Sequence, residues 1–159
     1  MGKILSNNRK RLLELSDLWR RYDQVYSHWT QKHGVSTNAM TLIEEMSIRP
    51  EGVEPAEIAD YLGIPRQTMT ATLDGLEKRG LLERCPHEKD RRRKIIRFTE
   101  KGRELASSLV GALHDWEENA LLTINSLERE RTFRTVKRLC DALESSVENM
   151  PQKKEEADC

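Results

Sequence analysis

Residues Pro55 to Gly102 read PAEIADYLGIPRQTMTATLDGLEKRGLLERCPHEKDRRRKIIRFTEKG, and the spacing of their apolar side chains changes twice along the way. Ile58, Ala59 and Leu62 share one face of a short helix opened by Pro55, a residue suited to a first turn because the N–H it lacks has no partner there. Gly63 breaks the pattern, and Pro65 steers Ile64 away from helical geometry. From Arg66 to Arg79, Met69, Leu73 and Leu76 recur at helical spacing, with Gly80 as the stop signal. Gln67, Thr70, Ala71, Asp74 and Lys78 fall on the opposite face. Helix, three-residue turn with glycine, helix is the grammar of a helix-turn-helix.

Beyond Gly80 the period shortens. Leu81 to Cys85 and Lys94 to Phe98 read as two short strands joined by the polar run Pro86 to Arg93, which makes a β-hairpin wing. Its tip, His87 to Arg93, is too polar to pack. Thr99 is placed to cap the next helix. The whole chain balances 27 Lys and Arg against 27 Asp and Glu. From Ile64 to Arg103, however, twelve basic residues face six acidic ones, a local surplus of six on the helix and hairpin. A field of that kind suits a polyanion.

The run LEKRGLLER, then DRRRKIIRFTEKG, resembles the signature of the MarR family of bacterial transcription regulators. Asp90 and Arg92 fill its D-x-R element, and Thr99 and Gly102 its threonine and glycine; Phe98 stands where leucine is usual. The motif spans the middle third of the chain, and the flanking helices agree with the family layout. The resemblance implies a mainly α fold with a small β-hairpin wing, dimeric through interlocked terminal helices. It also implies a cytoplasmic protein that binds double-stranded DNA, with Arg92 reaching a narrow minor groove.

A chain of 159 residues is expected to form one MarR-like unit over 1–150. Within it, about 36–102 make the DNA-binding lobe, about 5–33 and 103–150 the dimerisation helices, and 151–159 a disordered tail. No apolar run approaches membrane-spanning length, and the start MGKILSNNRK has no signal-peptide core, although it fits a loose myristoylation pattern. The first helix, Asn7 to about Lys32, carries Leu12, Leu15, Leu18, Trp19, Tyr22, Val25, Tyr26 and Trp29 on a wide apolar face. Ser36 or Thr37 caps a second, with Met40, Ile43 and Met46 inward, and Val53 adds a short strand beside the wing. A helix from Glu100 to about Thr123 is followed, after Asn125-Ser126, by one whose Phe133, Val136, Cys140, Leu143, Val147 and Met150 form a heptad-like stripe. Stripes this wide imply a second copy of the chain.

Residue chemistry assigns roles on the proposed DNA face. Gln67 suits adenine, and the Thr70 methyl and Ala71 suit a thymine methyl. Arg66 can reach guanine or phosphate. Lys78 and Arg84 are further candidate DNA contacts, and Arg91, Arg93, Lys94 and Arg97 are candidate phosphate contacts, which add affinity without reading sequence. Asp74 is paired with Arg92 in this reading, fixing the wing, while Asp90 orients its turn. Trp19, Tyr22, Tyr26, Trp29, Met40, Met46 and Trp116 gather on helices that, in the family, flank a cleft for small aromatic effectors. Core packing is the competing role for each.

Other chemistry has little support. Three cysteines do not suggest disulfides in a cytosolic chain. Cys140 is expected in the core, and Cys85, beside Arg84, leaves open a redox-sensing regulator. His28, His33, His87 and His114 lack ligand spacing, so no metal, cofactor or catalytic residue is expected. A winged-helix interaction module that never touches DNA is the remaining alternative.

Overall fold

The computed structural model describes residues 2–87 and 93–150. The elements run α1 (Gly2–Lys32), α2 (Thr37–Ser47), α3 (Pro55–Tyr61), α4 (Arg66–Lys78), β1 (Leu82–Pro86), β2 (Lys94–Phe98), α5 (Glu100–Leu122) and α6 (Ser126–Glu148). The fold is mainly helical with one antiparallel hairpin, as the sequence implies. The chain divides into two compact units, Met1–Ala112 and Leu113–Cys159, with the division inside α5.

The core of the first unit sits under α4. Leu42, Ile43 and Met46 from α2, Met69 and Leu73 from α4 and Ile96 from β2 are all nearly inaccessible. Burial of each such side chain contributes about 1.5–3 kcal/mol. Ser36 does cap α2, its hydroxyl accepting from the Ala39 N–H at 3.2 Å. The β1–β2 register pairs Leu82 with Phe98 and Arg84 with Ile96. Val53 bridges to Ile96 through N–H···O contacts of 3.0 and 2.8 Å, which accounts for the expected third strand as an isolated bridge.

The threonine-x-x-glycine element turns out to weld the hairpin to α5. The Thr99 hydroxyl donates to the Gly80 carbonyl at 2.7 Å and accepts from the Gly102 N–H at 3.0 Å, capping the helix. The Thr99 N–H binds the Leu81 carbonyl at 3.1 Å. That carbonyl lies so close that a Cβ on residue 102 would stand 1.9 Å from it, a separation only glycine tolerates. A second close approach is Gly52, whose φ is +94° and whose missing Cβ would meet Ile95, Ile96 and Arg97 of β2 within 2.7 Å.

Much of the apolar stripe on α1 and on α6 is exposed among the described residues. Leu12, Leu13, Leu18, Trp19, Tyr22 and Val25 of α1 are exposed, and among its residues of described burial Trp29 and Thr30 at its end are the buried ones. In the second unit Asn125 caps α6, accepting from the Glu128 N–H at 3.0 Å, and Arg129 reaches the Leu121 carbonyl at 3.2 Å. No residue of α6 is buried; Phe133, Leu143, Val147 and Met150 are each more than half exposed. Cys140, expected in the core, is exposed, because the stripe that carries it lies on a helix with no buried residue.

Candidate nucleic-acid interface

α4 is positioned by its buried side. With Met69, Leu73 and Leu76 in the core, Arg66, Gln67, Thr70, Ala71, Asp74 and Lys78 all emerge into solvent. The Thr70 hydroxyl donates to the Arg66 carbonyl at 2.9 Å, so its hydrogen is already used. What remains is a methyl and two lone pairs, which suits apolar contact better than donation.

The arginines are not free. Arg66 is held bidentately by Asp60 at the end of α3, Nη2–Oδ2 at 2.7 Å and Nε–Oδ1 at 3.3 Å, across the turn between the two helices. The hydrogen bond from Arg66 holds the Asp60 carboxyl below its ordinary value, and the same bond raises Arg66. Asp74, assigned above to Arg92, has Arg84 of β1 as its partner. Arg84 also lies 3.4 Å from Glu77, so one strand cation spans two α4 carboxylates. β1 is thereby tied to the flank of α4.

Arg93 is likewise engaged. Its Nε donates to Glu54 at 2.7 Å, and its Nη2 bonds the same carboxylate. Glu54 occupies the N-cap position of α3 without capping it, which leaves its carboxylate for this long-range bond. His87 Nε2 is 3.9 Å from Glu54, and the His87 N–H binds the Arg93 carbonyl at 3.1 Å, closing the base of the wing. Lys94, like Lys78, is exposed. Arg91, Arg92 and Asp90 lie outside the described residues, as does the tail 151–159.

The expected effector residues fall in both units. Trp29, Met40 and Met46 are buried. Trp19 and Tyr22 stand on the exposed part of α1, ring centroids 6.2 Å apart and edge to face, and Tyr22 meets Tyr26 at 4.4 Å. Trp116 belongs to the second unit. A cleft of about 650 Å³ instead opens between the end of α2, the hairpin and α5. Met46, Phe98 and Val110 line it together with Arg49, Arg97 and Arg103. Met46 is shared with the expected set. The sequence reading does not place these arginines together, because Arg49 follows α2, Arg97 is on β2 and Arg103 is on α5.

Cys85 is half-buried on β1, paired across the strands with Ile95. No group of three metal-ligating side chains occurs among the described residues, and no described helix is long and apolar enough to cross a membrane.

A short helix, a turn, an exposed second helix and a hairpin tied to its flank define a winged helix-turn-helix protein. Comparison with known proteins narrows this. A MarR family model matches residues 33–93, the stretch from α2 to the start of β2. The transcriptional repressor MprA of Escherichia coli K12 is 29% identical over 105 residues, 66% of this chain and 60% of that repressor, so the match spans only about three fifths of its length. Among solved structures, the MarR family transcription regulator SP03579 superposes with a TM-score of 0.81 at 16% identity, covering 94% of this chain and 99% of that one. FabT of Streptococcus pneumoniae, crystallised in complex with DNA, gives 0.71 at 22% identity over 86% of this chain and 98% of its own. Residues 33–93 thus match the MarR family, and the fold is that of the MarR-family regulators among its structural neighbours.

Proposed function

We propose that the protein is a sequence-specific DNA-binding transcriptional regulator, a homodimeric repressor released from a pseudo-palindromic operator by a small aromatic effector. The observation that carries the DNA reading is the exposed face of α4. Gln67, Thr70 and Ala71 project into solvent from a helix whose other side is locked into the core, the arrangement a recognition helix requires. That MprA is named a repressor and that FabT was crystallised with DNA support the same reading. The uncovered stripes of α1 and α6 support the dimer, since several large apolar side chains more than half exposed mark an association surface. Two copies related by a two-fold axis would present two recognition helices to half-sites about one helical turn apart.

The effector reading rests on the 650 Å³ cleft. An apolar wall from Met46, Phe98 and Val110 suits a flat ring, and an acid on it would have to draw Arg49 from Glu45 or Arg103 from Glu100, with Glu51 and Glu83 also lining the cleft. Because the cleft lies between the hairpin and α5, an occupant that prefers one setting of that joint would shift the equilibrium by its differential affinity for the two settings. A gel shift on the gene's own upstream region across a salt series tests the function. Retarded DNA whose affinity falls steeply with salt and outlasts competitor DNA is expected. Absence of any shift at micromolar protein would refute it.

A further inference from the structure

Arg66, Arg84 and Arg93, the three described arginines of the proposed DNA face, are each already bonded to carboxylates on that same face. Asp60 holds Arg66, Asp74 and Glu77 hold Arg84, and Glu54 holds Arg93. The carboxylates come from both ends of α3 and from the flank of α4, so no helix periodicity brings these pairs together. Solvent-exposed pairs such as Asp60–Arg66 contribute little to stability. Their effect on a polyanion is larger.

A guanidinium that turns from a carboxylate to a phosphate exchanges one charge-assisted hydrogen bond for another and leaves a bare carboxylate facing the backbone. A solvated cation, by contrast, binds phosphate and releases a counterion from the DNA. Pairing therefore removes much of the sequence-independent attraction that the local surplus of basic residues would otherwise exert. Base contacts from Gln67, Thr70 and Ala71 are untouched by it.

We propose that Asp60, Glu54 and the Asp74–Glu77 pair are specificity determinants, carboxylates that occupy the face's arginines and so suppress binding to arbitrary DNA. The proposal rests on the DNA-binding reading. It differs from a scaffold role in its sign: removing a carboxylate charge strengthens binding to unrelated sequence.

The experiment measures fluorescence anisotropy of two labelled duplexes, one of random sequence and one from the gene's upstream region, from 50 to 200 mM salt. Asp60→Asn keeps the shape of the side chain and removes its charge. It is expected to tighten binding to the random duplex. Its loss of affinity over that range should deepen roughly 3.5-fold, a fourfold change in salt raised to the 0.9 power for one added phosphate contact. Affinity for the upstream duplex changes less, so the ratio of the two falls. In an Arg66→Gln background the same substitution adds less, because there is no cation to release. Glu54→Gln, at the other end of α3, moves both quantities in the same direction as Asp60→Asn. An unchanged salt dependence on the random duplex, weakening on both duplexes, or an equal gain in both backgrounds would overturn the proposal while leaving DNA binding intact. A wild-type protein that binds neither duplex would refute the DNA reading and this inference with it.

Discussion

Replacing Gly102 with alanine should destabilise the protein, against the usual sign of such a change. In an ordinary helix interior, glycine to alanine gains about 0.5–1 kcal/mol, chiefly by restricting the unfolded chain. At residue 102 the added Cβ would lie 1.9 Å from the Leu81 carbonyl oxygen and 3.2 Å from Phe98 Cδ1. The oxygen has to retreat by more than an ångström, yet the Thr99 N–H holds it at 3.1 Å and the Thr99 hydroxyl ties the same loop through Gly80. Overpacking costs about 1–3 kcal/mol where neighbours can adjust, and backbone held on both sides places this site at the upper end. After the helix gain is subtracted, about 2 kcal/mol of net loss remains. For a chain of this size that corresponds to a fall in melting temperature of about 4–8 °C. Calorimetry on Gly102→Ala beside Gly75→Ala is the assay. Gly75 lies on the exposed side of α4 with nothing within 4 Å of its missing Cβ, so alanine there should raise the midpoint. Equal and upward shifts in the two variants would refute the claim that α5 closes on the hairpin through residue 102.

Separation of the wing from the recognition helix is expected in DNA binding: Arg92→Ala should weaken operator and unrelated DNA alike with a shallower salt dependence, whereas Gln67→Ala should cost about 1–3 kcal/mol on operator alone. Equal losses on both DNAs for Gln67→Ala would show that this side chain does not read sequence. Sedimentation at micromolar concentration should give twice the 18.5 kDa chain mass, and a full-length monomer would end the dimer claim. Acid titration of urea unfolding should show the Asp60–Arg66 pair. Because the carboxyl is held below its ordinary value of 3.8, its contribution is present above that pH and is lost as pH falls through the lowered value, a difference absent from Asp60→Asn. The contribution is small, since both side chains are more than half exposed. Benzoate-type acids titrated against the protein should lower operator affinity. An Arg103→Ala variant that responds as the wild type does would exclude the cleft as their site.

What could be read from the sequence followed from local rules. Met69, Leu73 and Leu76 set the buried side of α4 and therefore its exposed side, and Thr99 with Gly102 marked the start of α5. The hairpin was legible from the change of period after Gly80. The ion pairs were not. Asp60 and Arg66 are six residues apart, and only the path of the turn at Gly63–Pro65 brings them together. Arg84 meets Asp74 because β1 runs along the flank of α4, and strand alternation carries no information about that docking. Cys140 shows a different limit, because an apolar stripe says that something covers it and not which chain does so. Trp29, Met40 and Met46 carry the composition of a ligand cleft and the burial of a core, which hydrophobicity alone does not distinguish.

Selection from a pool of random duplexes tests sequence-specific recognition by α4 most directly, because it needs no knowledge of the target genes. The expected outcome is one enriched motif made of two inverted half-sites, their centres about 10 base pairs apart, with enrichment lost in Gln67→Ala. Recovery of duplexes with no shared motif, at an affinity that depends on salt alone, would contradict it.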